Sequence, residues 1–131
     1  MIVFSSLEKY KENNRIEAKK ALGGLPHSIW ETYSAFANTI GGVILLGVEE
    51  YADKTLHPIN IPDPNKLIKD FWDIINNSQK VSANILSNKD VYVKDVDGNQ
   101  IVVINVPRAQ RSDRPVYLDG NYINSYRRNG E

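Results

Sequence analysis

FANTIGGVILLGVEE, residues 36–50, contains the clearest structural signals in the sequence. Its first residues close a helix that is predicted to open at Pro26, because apolar side chains recur at the spacing of one helix face. That apolar face consists of Ile29, Trp30, Tyr33, Phe36 and Ala37. The glycine pair at residues 41–42 ends the helix, since glycine readily adopts the left-handed backbone of a helix stop. The apolar run that follows, residues 43–48, is typical of a central strand buried on both faces.

Upstream of this stretch the sequence predicts one short helix and one strand. Ser5 and Glu8 have the spacing of a capping box, which predicts a helix from Ser5 to about Lys11. Residues 15–22 alternate only weakly between apolar and charged side chains, and this pattern favours a strand over a helix.

Downstream the sequence predicts a loop, a second helix and two hairpins. Residues 51–62 contain two prolines and are predicted to form the loop. Asp63 suits the N-cap of the second helix and Pro64 suits its first turn. The Asp-Gly dipeptides at residues 97–98 and 119–120 lie between β-favouring segments and predict two β-hairpins.

The order of these elements predicts an α+β fold. It is a mixed β-sheet packed by two main helices, with a short N-terminal helix and a C-terminal β-hairpin. A chain of 131 residues has the length of one domain, here residues 1–131. Because the sequence ends abruptly at Arg127-Arg128-Asn129-Gly130-Glu131, we expect it to be part of a longer protein.

Composition excludes several classes of protein. A hydrophobic content of 41% argues against a disordered chain. There is neither an apolar run of roughly 20 residues nor a signal-peptide pattern, which argues against a membrane protein. The absence of cysteine excludes disulfides and thiolate metal sites, and it agrees with a cytoplasmic location.

The charges balance overall but are unevenly distributed. There are 16 basic and 16 acidic residues, yet five of the six arginines lie at or after Arg108. Arginine binds phosphate with a planar fork of donors, so this segment is a candidate phosphate contact. A solvated surface strip with no ligand explains the same pattern equally well.

Four glutamates are candidate metal ligands: Glu12, Glu17, Glu49 and Glu50. If the strand around Glu17 lies beside the strand ending at Glu50, three carboxylates meet and suit Mg²⁺ or Mn²⁺. The simpler interpretation is that Glu12 is a surface acid and that Glu17 pairs with Lys19 or Lys20. No other cofactor is expected, since the sequence has no phosphate-binding loop and its two histidines are far apart.

Four segments resemble the Schlafen AlbA-type domain family, which is assigned to DNA binding: residues 12–19, 36–50, 101–107 and 122–130. The second is the most distinctive, with Phe-Ala-Asn-Thr-x-Gly-Gly followed by an apolar strand and acids. The resemblance implies a nucleic-acid-binding α+β module at the N-terminus of a bacterial transcriptional regulator or helicase-like protein. In Schlafen proteins related domains carry a three-acid metal site that cleaves RNA, which implies Glu12, Glu17 and either Glu49 or Glu50 here.

Three departures from the family pattern weaken the nuclease implication more than the fold implication. Ala18 replaces the usual Phe, and glutamates stand at residues 49–50 where the family often has Asp. The family's Asp-Gly turn is replaced by residues 51–54.

Three functional hypotheses follow, in this order of preference. The first is a non-catalytic module that binds nucleic acid, DNA rather than RNA, with tyrosines stacking on unpaired bases. Its phosphate contacts are predicted to be Lys19, Lys20, Arg108, Arg111, Arg114, Arg127 and Arg128. The second is a protein-interaction or homo-oligomerisation module of the longer regulator. The third is a divalent-metal nuclease with Glu12, Glu17 and Glu50 as catalytic residues. The first and third require the arginine-bearing tail to lie on the same face as the glutamates.

Overall fold

A four-stranded mixed sheet forms the centre of the computed structural model, which describes residues 2–13 and 15–128. The strands are β1 (Ile16–Lys19), β2 (Gly42–Leu46), β3 (Val48–Glu50), β4 (Leu56–Pro58), β5 (Val91–Val96), β6 (Asn99–Val106), β7 (Tyr117–Leu118) and β8 (Asn121–Ser125). The helices are α1 (Ile29–Asn38) and α2 (Pro64–Ile75), with short 3₁₀ turns at Phe4–Lys9, Asn88–Asp90 and Arg111–Asp113. The predicted α+β class, two main helices and C-terminal hairpin are confirmed.

The main sheet has the strand order β1-β2-β6-β5. β1 runs parallel to β2, whereas β2 with β6 and β6 with β5 are antiparallel. The hairpins β3–β4 and β7–β8 form two separate two-stranded sheets. The mixed sheet follows from the connections: α1 separates the parallel pair, and a tight turn joins the antiparallel pair β5–β6.

Both faces of the central strands are buried, as the apolar run predicts. In β2, Ile44 and Leu46 pack into the core formed with α1 and α2. Leu45 points to the opposite face, into a second core that includes Leu7 and Leu56. All five side chains are at most 1% exposed, and burying each contributes about 1.5–3 kcal/mol.

Gly47 divides the predicted strand over residues 43–48 into two strands, which corrects that prediction. Its φ is +85°, a backbone conformation that side-chain-bearing residues rarely adopt. The chain therefore leaves the main sheet at Gly47 and continues as β3. β3 pairs with β4, which lies inside the predicted loop 51–62, so this loop prediction was also partly wrong.

The starts of the first two helical segments also differ from the prediction. The N-terminal segment is a 3₁₀ turn without a side-chain cap from Ser5, because the N–H of Ser6 already donates to the carbonyl of Val3 at 3.0 Å. Helix α1 begins at Ile29 rather than Pro26, because Pro26 belongs to a preceding turn that accepts the Ile29 N–H at 3.1 Å.

Other local predictions are confirmed. The Asp63 carboxylate caps α2 by accepting the N–H of Lys66 at 3.2 Å, and Pro64 is the first helical residue. The Asp-Gly dipeptides at 97–98 and 119–120 have positive φ at both residues, as tight hairpin turns require. Within the described residues, no helix has both the length and the apolar character that a bilayer crossing needs.

Candidate functional site

Three of the predicted acids lie close together. β1 pairs in parallel with β2, which places Glu17 opposite Ile44, and β1 also contacts β3. Glu12 turns back onto β1, where its Oε2 accepts the N–H of Ala18 at 2.9 Å. Burial raises the pKa of Glu12, and the negative charges of Glu17 and Glu50 raise it further. The expected juxtaposition of β1 with the strand that ends at Glu50 is therefore confirmed.

Apart from Glu12, each candidate glutamate of this region lies beside at least one basic side chain. Arg128 donates to Oε1 of Glu17 at 3.0 Å, and the Lys19 ammonium lies 3.9 Å from the other carboxylate oxygen. Lys20 lies 3.3 Å from Glu49, and Lys54 lies 3.9 Å from Glu50. Protein cations thus neutralise this cluster.

Arg128 is held by several contacts besides Glu17. Its guanidinium donates to the Asn13 carbonyl and lies 4.9 Å from the centre of the Phe36 ring. The backbone N–H of Arg128 donates to Thr39 Oγ1 at 3.0 Å. Arg128 therefore lies across the end of α1 and reaches Glu17 of β1, which agrees with the expected position of the tail for this one arginine.

This arrangement does not fit a divalent metal ion. Glu17 is engaged by two cations, and one oxygen of Glu12 is occupied by a backbone N–H. Across residues 2–13 and 15–128, no three His, Asp or Glu side chains are grouped so that they would hold a metal. The acids therefore lie close together, but they do not offer a free set of carboxylate oxygens for a divalent metal ion.

A different cluster, three arginines, lines an open groove of about 590 Å³. These are Arg111, Arg114 and Arg127, and we call the surface they line the arginine groove. In the part of the chain that the structure describes, none of the three forms an ion pair or a hydrogen bond through its side chain. The Nε of Arg114 is buried and lacks an acceptor, which is costly for a charged donor.

Asn38, within the segment 36–50, fixes the backbone on both sides of this groove. Its side chain is buried, accepts the Val116 N–H at 2.7 Å and donates to the Val116 carbonyl at 2.9 Å. It also donates to the Tyr126 carbonyl at 3.0 Å. Asn38 therefore fixes the segments that carry Arg114 and Arg127. Sequence reasoning treated it only as part of a helix end, although an asparagine at the end of an apolar helix was a signal for such a role.

The other predicted phosphate contacts lie elsewhere. Arg108 is exposed but is not among the residues lining the arginine groove. Lys20 is exposed and pairs with Glu49. Lys19 and Arg128 are mostly covered, with side chains 14% and 22% exposed, and both pair with Glu17. The structure thus brings three of the seven predicted residues together.

The predicted tyrosine-rich hairpin is exposed along the first residues of β8. Tyr122 is 68% exposed and lies against Tyr117 with ring centres 4.5 Å apart. The next residue, Ile123, is 86% exposed. Among the described residues, this strand, β8, pairs only with β7.

Comparison with known proteins identifies the family and supports the fold. The profile described as Schlafen, AlbA_2 matches residues 12–131. The solution NMR structure of the N-terminal domain of a Nitrosomonas europaea protein, named as related to the ATP-dependent DNA helicase RecG, is similar. It has 28% identity and a TM-score of 0.75 over 100% of this chain and 91% of that one.

A second similar structure is the crystal structure of the DIP2311 protein from Corynebacterium diphtheriae. It has 18% identity and a TM-score of 0.49 over 81% of this chain and 19% of that one. No curated protein sequence matches the chain significantly. Since the family profile covers nearly all of the sequence, from the acid-bearing turn to the arginine-bearing tail, the chain belongs to the Schlafen AlbA_2 family.

Proposed function

We propose that this domain binds nucleic acid, DNA in preference to RNA, through the arginine groove. The observation that carries the proposal is that Arg111, Arg114 and Arg127 line one groove and have no carboxylate partner among the described residues. Guanidinium groups without partners are well suited to the oxygens of a phosphate backbone. Similarity to a domain of a RecG-related protein supports DNA as the ligand.

The proposal assigns different roles to the remaining basic residues. Arg108 and Lys20 are exposed and are proposed as additional phosphate contacts. Lys19 and Arg128 are proposed as positioning residues, because their pairing with Glu17 holds the tail against β1. We further propose that the domain is the N-terminal part of a cytoplasmic transcriptional regulator, where it anchors the protein to DNA.

The test is a salt series with a charge-matched control. Binding of labelled duplex DNA, single-stranded DNA and RNA is measured by fluorescence anisotropy for the natural chain and for Arg111→Gln/Arg114→Gln/Arg127→Gln. The control is Lys66→Gln/Lys69→Gln/Lys89→Gln, which removes three exposed positive charges elsewhere.

The arginine variant is expected to bind at least about tenfold more weakly at low salt. Its slope of log affinity against log salt for duplex DNA should fall by about 0.9 for each lost phosphate contact. The control should keep most of the affinity. If both variants bind equally weakly, the loss reflects total charge and the arginine groove is not the binding site. If the natural chain does not bind, the proposal is overturned.

A second candidate function is self-association through the C-terminal hairpin. The observation that favours it is the exposed pair Tyr122 and Ile123 on β8, whose outer edge has no partner strand among the described residues. Light scattering coupled to size-exclusion chromatography tests this candidate. A dimer that Ile123→Lys converts to a monomer would support it, and a natural chain that is monomeric at high concentration would exclude it.

A further inference from the structure

A second cavity lies between the start of α1, the end of α2 and the hairpin β7–β8. Its volume is about 340 Å³, within the range of roughly 300–1,000 Å³ that small-ligand sites occupy. Its apolar lining consists of Trp30, Ile74, Leu118 and Tyr126. We call it the Trp30 cavity. A lining of this kind suits a ligand with a flat or apolar body.

Trp30 is held rigidly at this cavity. Its ring is stacked on Phe71 with centres 5.0 Å apart and planes inclined by 18°. Tyr33 meets it edge-on, with centres 6.2 Å apart. Only 6% of Trp30 is exposed, so a ligand would contact the uncovered part of an indole that is already fixed in place.

The rim of the Trp30 cavity is polar and exposed to solvent. It carries the carboxylates of Glu31 and Asp119 and the ammonium group of Lys80. Within residues 2–13 and 15–128, these three side chains make no hydrogen bond or ion pair. The Asp119 N–H donates to the Lys80 carbonyl at 2.9 Å, which keeps two of the three close together. His27 and Asn124 also line the cavity, so the rim offers donors as well as acceptors, and its two carboxylates can accept hydrogen bonds from an amino group of a ligand.

We propose that the Trp30 cavity binds a planar nitrogen heterocycle with an exocyclic amino group, that is, an amino-bearing nucleobase. The ring would lie against Trp30 and Tyr126, and the amino group would donate to Glu31 or Asp119. This chemistry has two sources, a free nucleoside or an unpaired base within a strand.

The position of the cavity makes both sources reasonable. Along the last strand and its continuation, Asn124 and Tyr126 line the Trp30 cavity, whereas Ser125 and Arg127 line the arginine groove. Alternate residues of an extended chain point to opposite sides, so one segment separates the two sites. The heterocycle proposal goes beyond the phosphate contacts of the proposed function and stands without them.

The experiment uses Trp30 as its own reporter. The chain has two tryptophans, so Trp72→Phe leaves Trp30 as the remaining fluorophore. This background protein is titrated with adenosine, cytidine and uridine, and with a short single strand that contains adenines. The binding variant is Glu31→Gln/Asp119→Asn, and the matched control is Glu8→Gln/Asp97→Asn, which neutralises two exposed acids elsewhere.

We expect saturable changes in fluorescence with adenosine and cytidine, and at least about fivefold weaker binding of uridine, which has no exocyclic amino group. Glu31→Gln/Asp119→Asn should weaken adenosine binding about tenfold, and the control should not. Thermal melting establishes that both variants fold. If Arg111→Gln/Arg114→Gln/Arg127→Gln still binds adenosine, the heterocycle site is independent of the proposed phosphate contacts.

The outcomes separate the two sources. Binding of free adenosine identifies a nucleoside site. A response to the strand alone, lost in Glu31→Gln/Asp119→Asn, identifies a site for an unpaired base. The proposal is overturned if neither ligand changes Trp30 fluorescence, if the binding variant binds as well as the control, or if uridine binds as tightly as adenosine.

Discussion

Asn38 shows how one buried polar side chain organises a binding surface. Its amide satisfies both backbone groups of Val116 and the carbonyl of Tyr126, in a place where water does not reach. Ser34 assists by donating to the Val116 carbonyl at 2.7 Å and accepting the Tyr126 N–H at 3.0 Å. The C-terminal arginines are therefore positioned by the end of α1, although they are distant from it in sequence.

Asn38→Ala is expected to destabilise the domain by about 2–4 kcal/mol, because it leaves the buried N–H of Val116 without an acceptor. Urea denaturation measures the free energy of unfolding. Asn65→Ala, at an exposed site in α2, is the matched control and should change it by less than about 0.5 kcal/mol. Similar losses in both variants would contradict the anchoring role of Asn38.

The negative charge of Glu12 destabilises the folded state. Burial and two neighbouring carboxylates raise its pKa above the ordinary value of 4.5, so the folded state favours the protonated form. Its contribution to stability is present below pH 4.5 and is lost as the pH rises through the folded-state pKa. Glutamine resembles the protonated form and keeps an oxygen for the Ala18 N–H.

Glu12→Gln is therefore expected to be more stable than the natural chain at pH 7, by on the order of 0.5 kcal/mol. This advantage should shrink toward zero as the pH falls to about 4. Thermal melting over that pH range measures it, and Glu8→Gln at an exposed site corrects for the general loss of one charge. An advantage that grows at acid pH would contradict the assignment.

Gly47 forms the junction between strands β2 and β3. A Cβ built on Gly47 would lie 2.6 Å from Cγ1 of Ile61, and its φ is +85°. Gly98 has nearly the same φ, +83°, but open space around it. Substitutions at Gly47 and Gly98 therefore distinguish the cost of backbone strain from the cost of steric overlap.

Gly98→Ala is expected to cost about 1 kcal/mol through its backbone alone. Gly47→Ala should cost at least about 1 kcal/mol more, because Ile61 must also move. Urea denaturation of the two variants compares them directly. Equal losses would mean that the β2–β3 junction has room for a methyl group, and that backbone conformation alone requires the glycine.

Local patterns predicted elements well where short-range chemistry decides them. The Asp63 cap, the Asp-Gly hairpin turns and the buried strand around Leu45 depend on neighbours in sequence. The β3–β4 hairpin was missed because the chain turns out of the sheet at Gly47, where a positive φ and the nearby Ile61 side chain leave no room for a Cβ. A glycine inside an apolar run was the available signal for such a break.

At the scale of the whole molecule, the resemblance correctly identified the family, the acids do converge, and Glu17 pairs with Lys19 as the simpler interpretation expected. The pairing of Glu17 with Arg128 could not be predicted from the sequence. Arg128 and Glu17 lie 111 positions apart in the chain, and no local pattern links them. The three arginines of the groove were predicted as part of a set of seven. Their separation from Lys19 and Arg128 depends on which cations the glutamates bind in the folded state.

The same ion pairs suggest an experiment that compares the binding and nuclease hypotheses. If Glu17 serves to hold Arg128, then labelled structured RNA and single-stranded DNA should stay intact with the natural chain and Mn²⁺. Arg128→Gln removes the cation and should lower stability by about 1–3 kcal/mol without creating cleavage, because the Glu12 oxygen remains bonded to Ala18. Gel electrophoresis and urea denaturation measure the two effects. Cleavage by the natural chain that disappears in Glu17→Gln and Glu50→Gln would instead mean that a metal displaces Arg128, and the acids would then be catalytic residues.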